Sequence, residues 1–254
     1  MLFPRLIPCL LIHKGALYKT TSFENPKYVG DPLNAARLYN DKEVDELIVI
    51  DIDASRFNSE INYNLISNLS RECRMPLCYG GGVKSVEQFE KIVSLGVEKV
   101  AISSAAIQNP SLITEASQRI GKQSVVAVID VKKNNSYKKY DITYMNGSKI
   151  SNLNYKEWVI KLQELGAGEI IINSVDNDGK MKGYDFEFID SVYPFINTPL
   201  TVLGGAGSFD HIRELYSRYN SIGAAAGSLF VFKGKFRAVL INYPNRDAKA
   251  NLFI

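Results

Sequence analysis

The strongest constraint on this chain is a glycine-rich unit that occurs twice at matching positions. Residues 76–104 read PLCYGGGVKSVEQFEKIVSLGVEKVAISS, and residues 199–228 read PLTVLGGAGSFDHIRELYSRYNSIGAAAGS. In each unit a Pro-Leu pair opens a short apolar run that ends in glycines, a helical stretch follows, and a second short run ends in serine. Glycines alone could serve only to turn the chain. A pair of such units in register predicts an internally duplicated protein.

Each unit has the composition of half a phosphate-binding site. Glycines after a strand let backbone N–H groups approach an anion closely, and small residues before the next helix leave its first amides free to bind one. We therefore expect two phosphate cradles, one in each half of the chain. Their candidate residues are Gly81, Gly82, Ser103 and Ser104 in the first cradle and Gly204, Gly205, Gly227 and Ser228 in the second.

Composition indicates a soluble globular protein. Of the 254 residues, 46% are hydrophobic and 22% are charged, and the formal net charge is only +3, which argues against a nucleic-acid or membrane-surface binder. Residues 1–14 lack the features of a signal peptide, and no apolar run is long enough to span a bilayer, so we expect a cytoplasmic protein. Three cysteines and two histidines lack metal-site spacing, which predicts buried thiols, no metal and no cofactor.

Short aliphatic runs alternate with longer stretches that have helical apolar spacing. The runs are too apolar to have a solvated face, which predicts a parallel sheet covered by helices. Eight such units predict a closed (β/α)8 TIM barrel with a twofold half-barrel repeat. The predicted strands are residues 5–12, 46–51, 75–79, 99–102, 124–130, 169–173, 198–203 and 222–226. The predicted helices are residues 32–42, 61–72, 86–95, 110–120, 155–165, 186–193, 209–219 and 234–241, with caps at Asp31, Ser85, Asn109, Asn154, Asp185 and Ser208.

Two connections are long, residues 17–30 and residues 132–152. The second contains the dipeptide Asn146-Gly147, which is typical of hairpin turns. Both follow strands at the end of a barrel where substrate is usually covered by loops. No linker divides the chain, and a half-barrel alone would expose its interior face and two edges. We therefore expect residues 1–254 to form one domain, with half-barrels at about 1–122 and 123–254.

Functional groups of such a barrel lie where strands end. Asp130 follows four apolar residues, so we expect partial desolvation to raise its pKa toward that of a general acid or base. The alternative is an aspartate that orients the backbone or Lys132. With a phosphate cradle on each side, the expected ligand is an elongated molecule with a phosphate at each end. The other candidate pocket residues are Leu11, Lys19, Asp51, Asp53, Asn173 and Asp178.

Motifs in every unit of the chain resemble the HisF family, the cyclase subunits of imidazole glycerol phosphate synthase. They are RLIPCL, YVGDP, DELIVIDIDAS, GGGVKSVEQ, KVAISSAAIQNP, VVAVIDVKK, LGAGEIIINSVDNDGKMKGYD and VLGGAGSFDH. The resemblance implies a barrel that binds a bisphosphorylated ribonucleotide and closes the imidazole ring with two aspartates. It also implies that a glutaminase subunit docks on the N-terminal face of the barrel and supplies ammonia.

The resemblance further implies an ammonia gate of four charged residues, each at the start of a strand. These are Arg5, Glu46, Lys99 and Glu169. The alternative is a salt-bridged plug that only closes the bottom of the barrel, since charges buried there need partners. Both roles are compatible.

One departure from the family affects its chemistry. Of the two family aspartates, Asp130 is present, but Leu11 stands where the other is expected. Overlaying RLIPCLLIHK on SVVAVIDVKK also pairs Leu11 with Asp130. Losing a positioned acid or base typically costs about 10²- to 10⁴-fold in rate, so efficient cyclisation would need another group nearby, and Asp51 and Asp53 are the only close candidates. Leu203, Asn173 and Asp53 also depart from the residues common in the family.

The stretch IPCLLIHKGALYKTTSF most resembles the WbuZ-type branch of HisF-like proteins, associated with glycosyl amidation. That resemblance implies a HisH-like glutaminase partner, a separate N-acetyl sugar amidotransferase, and ammonia used for acetamidino sugars of surface polysaccharide or lipopolysaccharide. Three readings stay open: an ammonia-conducting subunit of that kind, a working cyclase (a lyase of histidine biosynthesis), and a non-enzymatic scaffold with vestigial anion sites.

Overall fold

The fold is a closed barrel of eight parallel strands, seen in a computed structural model that describes residues 4–134, 139–219 and 221–252. The first barrel strand pairs with the second and the eighth, and the fifth pairs with the sixth, so the ring of strands is complete. This confirms the predicted (β/α)8 barrel. The barrel strands are Arg5–His13, Leu47–Asp51, Leu77–Gly80, Lys99–Ile102, Val125–Lys133, Glu169–Ser174, Leu200–Leu203 and Gly223–Ala226.

Helices cover the outside of the barrel. The α-helices are Pro32–Asp41, Tyr63–Glu72, Val86–Ser94, Ser104–Gln108, Ser111–Ile120, Tyr155–Leu165, Phe186–Val192, Phe209–Arg218, Ser228–Val231 and Arg246–Ala250. Two 3₁₀ turns lie at Lys122–Ser124 and Tyr193–Phe195. Side-chain caps at Asp31, Asn154, Asp185 and Ser208 are confirmed, and the capping box at Ser85 is present.

Two helix predictions are wrong. Asn109 does not cap the helix that follows it, because Pro110 occupies the position before that helix and Asn109 ends the short helix Ser104–Gln108. Residues 234–241 are not helical. Gly234 and Arg237 both have positive φ values, 72° and 50°, which interrupts a helix. The chain instead turns at residues 234–237 between two short antiparallel strands, Phe232–Lys233 and Ala238–Val239.

Both long connections contain antiparallel strands. The first holds the hairpin of Ala16–Thr21 and Glu24–Gly30, which continues the sheet from the first barrel strand. The second holds Tyr140–Tyr144 and Lys149–Ser151, although residues 135–138 of this connection lie outside the described residues. The predicted Asn146-Gly147 turn joins these two strands and is confirmed, with Ser148 N donating to Met145 O.

The core has two parts. A large cluster packs between the strands and the outer helices, and a smaller one fills the barrel interior. The interior cluster consists of Ile7, Cys9, Ile48, Cys78, Ala101, Val126, Ile171 and Ala225. Cys9 and Cys78 are buried as predicted, whereas Cys73 is only half-buried.

Within the part of the chain that the structure describes, no helix is both long enough and apolar enough to cross a membrane. The same residues contain no group of three or more His, Cys, Asp or Glu side chains placed to hold a metal ion.

Candidate functional site

A cavity opens at the carboxyl ends of the barrel strands. Its volume is about 1020 Å³, including the part open to solvent. The first long hairpin contributes to its wall through Lys19, Thr20 and Phe23. The polar residues that line it are Lys19, Thr20, Asp51, Ser55, Ser103, Ser104, Asp130, Asn146, Asn173 and Asp178. The structure thus brings together most of the predicted pocket residues.

The floor of the cavity is apolar. Leu11, Ile50, Val128 and Leu203 line the cavity and pack against the interior cluster of the barrel. Leu11 lies in register with Ile50 of the second barrel strand. The position where the family resemblance implies an acid therefore belongs to a continuous aliphatic layer.

Asp130 is the acid that the fifth strand places at this layer. It is buried, with 9% of its surface exposed, and both carboxylate oxygens accept hydrogen bonds: Oδ2 from Ser103 Oγ and Oδ1 from Asn173 Nδ2, each 2.9 Å away. Burial raises the pKa of Asp130 to about 6, although the two hydrogen bonds act in the opposite direction. Asp130 is therefore suited to exchange a proton near neutral pH.

The two acids after the second strand have different surroundings. Asp51 lines the cavity, and its Oδ1 accepts from the backbone N–H groups of Asp53 and Ala54 at 3.0 and 3.1 Å. Burial raises the pKa of Asp51. Asp53 was expected in the pocket, but it does not line the cavity. Its carboxylate lies 2.8 Å from His13 Nδ1 and accepts from Lys14 N. Only Asp51 of this pair is placed to compensate for Leu11.

Lys19 and Asp178 form a second buried polar group at the cavity wall. The Lys19 ammonium donates to the carbonyl of Cys9, and its burial lowers its pKa. Asp178 accepts from Thr20 Oγ1 at 3.3 Å. Burial raises the pKa of Asp178 overall, although the charge of Lys19 acts in the opposite direction. These contacts hold the hairpin against the loop after the sixth strand.

The first predicted phosphate cradle lies on the cavity surface. Gly81, Gly82, Ser103 and Ser104 all line it. Gly81 has a φ of 118°, and a Cβ there would overlap the carbonyl of Asp51, so the backbone approaches closely at this point. Ser55, which sequence reasoning missed, accepts from Gly82 N at 3.3 Å.

The second predicted cradle is arranged differently. Gly227 lines the cavity, but Gly204, Gly205 and Ser228 do not. The side chain of Lys19 lies directly against Gly227. Gly205 is instead turned toward the loop after the sixth strand, where its carbonyl accepts from Gly183 N at 2.8 Å. The two cradles therefore do not present equivalent surfaces to one cavity, because Lys19 and this loop cover much of the second.

The four charged residues at the strand starts form a closed ring of ion pairs. Its links are Arg5–Glu46 at 2.5 Å, Glu46–Lys99 at 2.8 Å, Lys99–Glu169 at 2.8 Å and Glu169–Arg5 at 2.7 Å. The two glutamate side chains are only 4% and 5% exposed, whereas those of Arg5 and Lys99 are 23% and 19% exposed. The cations therefore lie nearer to solvent, and the carboxylates face inward.

The ring controls the protonation of its members. Burial alone would raise the pKa of Glu169, but hydrogen bonding to Arg5 and the charge of Lys99 hold it below its usual value. Burial would lower the pKa of Lys99, yet the two glutamates raise it overall. Sequence reasoning missed a fifth member, Thr201, whose Oγ1 donates to Glu169 Oε1 at 2.6 Å. Its position two residues before Leu203, on the same face of the strand, was an available signal.

Sequence comparisons agree with this architecture. Residues 5–237 match the family described as histidine biosynthesis protein. A provisionally named imidazole glycerol phosphate synthase subunit hisF3 from Vibrio vulnificus (strain YJ016) is 52% identical over 249 residues, covering 98% of this chain and 96% of the relative. A provisionally named imidazole glycerol phosphate synthase subunit HisF from Leptospira borgpetersenii is 51% identical over 253 residues, covering 100% of both.

Another relative carries the HisF subunit name without a provisional qualifier. The imidazole glycerol phosphate synthase subunit HisF of Lactococcus lactis subsp. lactis (strain IL1403) is 39% identical over 230 residues, covering 91% of this chain and 89% of the relative. With the closed barrel and a family match that spans almost the whole chain, these similarities show that the protein belongs to the histidine biosynthesis protein family as a HisF homologue.

Proposed function

We propose that this chain is the barrel subunit of an ammonia-transferring complex of the WbuZ type. It pairs with a HisH-like glutaminase on the N-terminal face of the barrel and carries ammonia to the cavity at the opposite end. The ammonia serves acetamidino-sugar synthesis together with an N-acetyl sugar amidotransferase. The observation that carries the proposal is Leu11 within the apolar floor of the cavity, above an intact ring of ion pairs.

The barrel interior supports a route for ammonia. The ring of Arg5, Glu46, Lys99 and Glu169 lies at the starts of the strands. The interior cluster of small and aliphatic side chains follows it, and four of its members, Cys9, Ile48, Ala101 and Ile171, also line the cavity. A neutral molecule such as ammonia crosses an apolar interior at far lower cost than ammonium, because burying an unpaired charge is expensive. Opening one link of the ring would admit it.

The cavity floor supports loss of the ring-closing reaction. Leu11 neither donates nor accepts a proton, and the removal of a positioned acid or base costs about 10²- to 10⁴-fold in rate. Asp51 offers partial compensation only, since its Oδ1 already accepts two backbone hydrogen bonds. Asp130 with the first phosphate cradle still provides a binding surface for a phosphorylated small molecule.

The test is the glutaminase activity of the cognate HisH-like protein, measured with and without this chain. We expect a heterodimer by size-exclusion chromatography and a higher rate of glutamine hydrolysis in the complex. Glu46→Gln should change this stimulation because it removes a charge from the ring, whereas Glu72→Gln should not, because Glu72 pairs with Arg37 on the outer surface. Absence of both complex and stimulation would contradict the proposal.

The second candidate is a working cyclase of histidine biosynthesis. The retained Asp130, with a pKa raised to about 6, and the first phosphate cradle favour it. Its test is the growth of a cyclase-deficient histidine auxotroph that expresses this chain as a folded protein. Growth without histidine would establish this candidate, and failure to grow would count against it.

A further inference from the structure

The hairpin that follows the eighth barrel strand exposes a concentration of apolar side chains. This rim hairpin, residues 232–240, consists of two short antiparallel strands and the turn between them. Phe236, in the turn, is 82% exposed, more than any other large hydrophobic residue that the structure describes. Val239 and Leu240 are exposed as well. Exposed apolar residues normally occur singly, so three of them within five positions indicate a contact surface.

The rim hairpin is held in a fixed position. Leu240 N donates to Val231 O at 2.8 Å, which ties the second strand back to the short helix before the hairpin. From the first long hairpin, Lys27 Nζ donates to Arg237 O at 3.1 Å and lies 4.9 Å from the centre of the buried Phe232 ring. A surface that is ordered before binding loses less conformational freedom when a partner docks.

The rim hairpin borders the mouth of the cavity. The short helix Ser228–Val231 begins directly after Gly227, which lines the cavity, and the rim hairpin follows that helix without a break. Lys27, which braces the rim hairpin, belongs to the same long hairpin that contributes Lys19 and Phe23 to the cavity wall. The exposed apolar side chains therefore lie at the end of the barrel opposite to the ring of ion pairs.

The charges of the rim hairpin are all positive. Residues 231–241 contain Lys233, Lys235 and Arg237 and no acidic residue. In the described part of the chain, no carboxylate lies within 4 Å of these three cations. Arginines on the outer helices do have carboxylate partners, namely Arg37, Arg119, Arg213 and Arg218. Unpaired cations beside exposed aromatic and aliphatic side chains complement a protein surface that is both acidic and apolar.

We propose that the rim hairpin is the docking surface for the protein that consumes the ammonia, and that it contacts an acidic, apolar patch on that protein. This inference rests on the proposed function and gives its amidotransferase a definite place. Ammonia released at an open mouth would escape into water and take up a proton there, whereas a partner seated at the mouth excludes water from the transfer. The glutaminase is proposed for the opposite face, so both partners can bind at once.

The first test is binding of the purified full-length chain to the purified cognate N-acetyl sugar amidotransferase, measured by biolayer interferometry without glutaminase. Phe236→Ser and Leu240→Ser should each weaken binding about tenfold or more, because apolar and aromatic anchors carry most of the binding energy of an interface. Ile160→Ser is the matched control for Leu240→Ser, since Ile160 is 40% exposed on an outer helix and Leu240 is 49% exposed. It should bind like the wild type.

Two results of this measurement would overturn the docking surface. One is that the wild-type chain does not bind the amidotransferase. The other is that Phe236→Ser and Leu240→Ser bind as tightly as wild type, with unchanged circular dichroism.

The charge of the rim hairpin is tested separately. Lys235→Glu should weaken binding of the amidotransferase and reduce its dependence on salt, because it reverses a charge that attracts the acidic patch. Flotation with vesicles of phosphatidylcholine and phosphatidylglycerol distinguishes a protein partner from a membrane. We expect no flotation of the chain. Vesicle binding that Phe236→Ser abolishes, without binding of the amidotransferase, would assign the rim hairpin to a membrane and overturn the proposal.

Failure of this inference can be told apart from failure of ammonia transfer. Binding of the amidotransferase at the rim hairpin, combined with absent glutaminase stimulation, would keep the contact and remove the proposed ammonia route. Glutaminase stimulation without binding of the amidotransferase would remove the docking surface alone. Phe236→Ser should leave the stimulation itself unchanged, because Phe236 lies at the mouth and the ring of ion pairs lies at the strand starts.

Discussion

At the scale of single residues, the account depends on how Asp130 is held. Its carboxyl group is buried between Ser103 and Asn173, on an aliphatic floor that includes Leu11. The cost of desolvating the charged form is greater than the benefit of two hydrogen bonds, so the carboxyl group is protonated more readily in the folded protein than in the unfolded chain. This residue therefore links the chemistry of the cavity to the stability of the fold.

Asp130 should make the protein less stable as pH rises from about 4 to about 6. The folded-state pKa, about 6, is above the usual value of 3.8, so in this interval the folded protein binds more protons than the unfolded chain. The loss amounts to about 3 kcal/mol at most, from about two pKa units. Asp130→Asn removes this titration. Urea unfolding at pH 4 and pH 7 should show the variant gaining stability relative to wild type as pH rises, and an equal difference at both pH values would contradict the account.

At the scale of elements, glycine positions in the barrel loops differ in how much space surrounds them. Gly81 and Gly15 both have positive φ values, 118° and 77°. A Cβ at Gly81 would overlap the backbone of Asp51, while a Cβ at Gly15 would meet nothing within 4 Å. The first position therefore depends on close packing as well as on backbone conformation.

Gly81→Ala should destabilise the protein more than Gly15→Ala. Both variants incur roughly 1–2 kcal/mol for a left-handed conformation, and only Gly81→Ala must also displace the Asp51 backbone that lies against Gly81. We expect an additional loss of about 1–3 kcal/mol in urea unfolding and weaker phosphate binding for Gly81→Ala alone. Equal losses in the two variants would show that the close approach at Gly81 is unimportant.

The ring of ion pairs should behave as one buried element. Lys99→Met removes a partner from both Glu46 and Glu169, whose side chains are only 4% and 5% exposed. Leaving buried carboxylates short of a partner costs about 3–5 kcal/mol. Thermal and urea unfolding should detect that loss.

The control for the ring is an exposed ion pair. Arg37→Ala breaks the pair with Glu72, in which the Arg37 side chain is 58% exposed, and exposed pairs contribute about 0–1 kcal/mol. A small effect of Lys99→Met, similar to that of Arg37→Ala, would mean that the ring adds little to stability.

At the scale of the whole molecule, the sequence predicted the barrel well because each part of the pattern was local. Aliphatic runs recur in every unit, most of the predicted helices follow a capping residue, and the strand starts at Arg5, Lys99 and Glu169 agree with the structure. The cavity positions of Asp130 and Leu11 follow from where their strand ends. These features depend on strand alternation, which a sequence displays directly.

What the sequence could not predict depends on contacts between distant segments. The outward placement of Asp53 results from His13 and Lys14, and the covering of Gly227 results from Lys19 in the first hairpin. The turn at residues 234–237 was predicted as a helix because its apolar spacing is ambiguous over so short a stretch. The misplacement of Asp53 and the covering of Gly227 both concern the rim of the cavity, where loops rather than strands determine which groups face inward.

The central claim, that this barrel retains its scaffold but lacks ring-closing chemistry, is tested most directly by ammonium-dependent turnover of the bisphosphorylated ribonucleotide. The purified chain would be assayed at saturating ammonium, beside Leu11→Asp, and beside Leu11→Asn as a polar variant that carries no acid. The account predicts wild-type turnover at least about 10²-fold below that of Leu11→Asp, with Leu11→Asn as slow as wild type. Rapid turnover by the wild-type chain would contradict it.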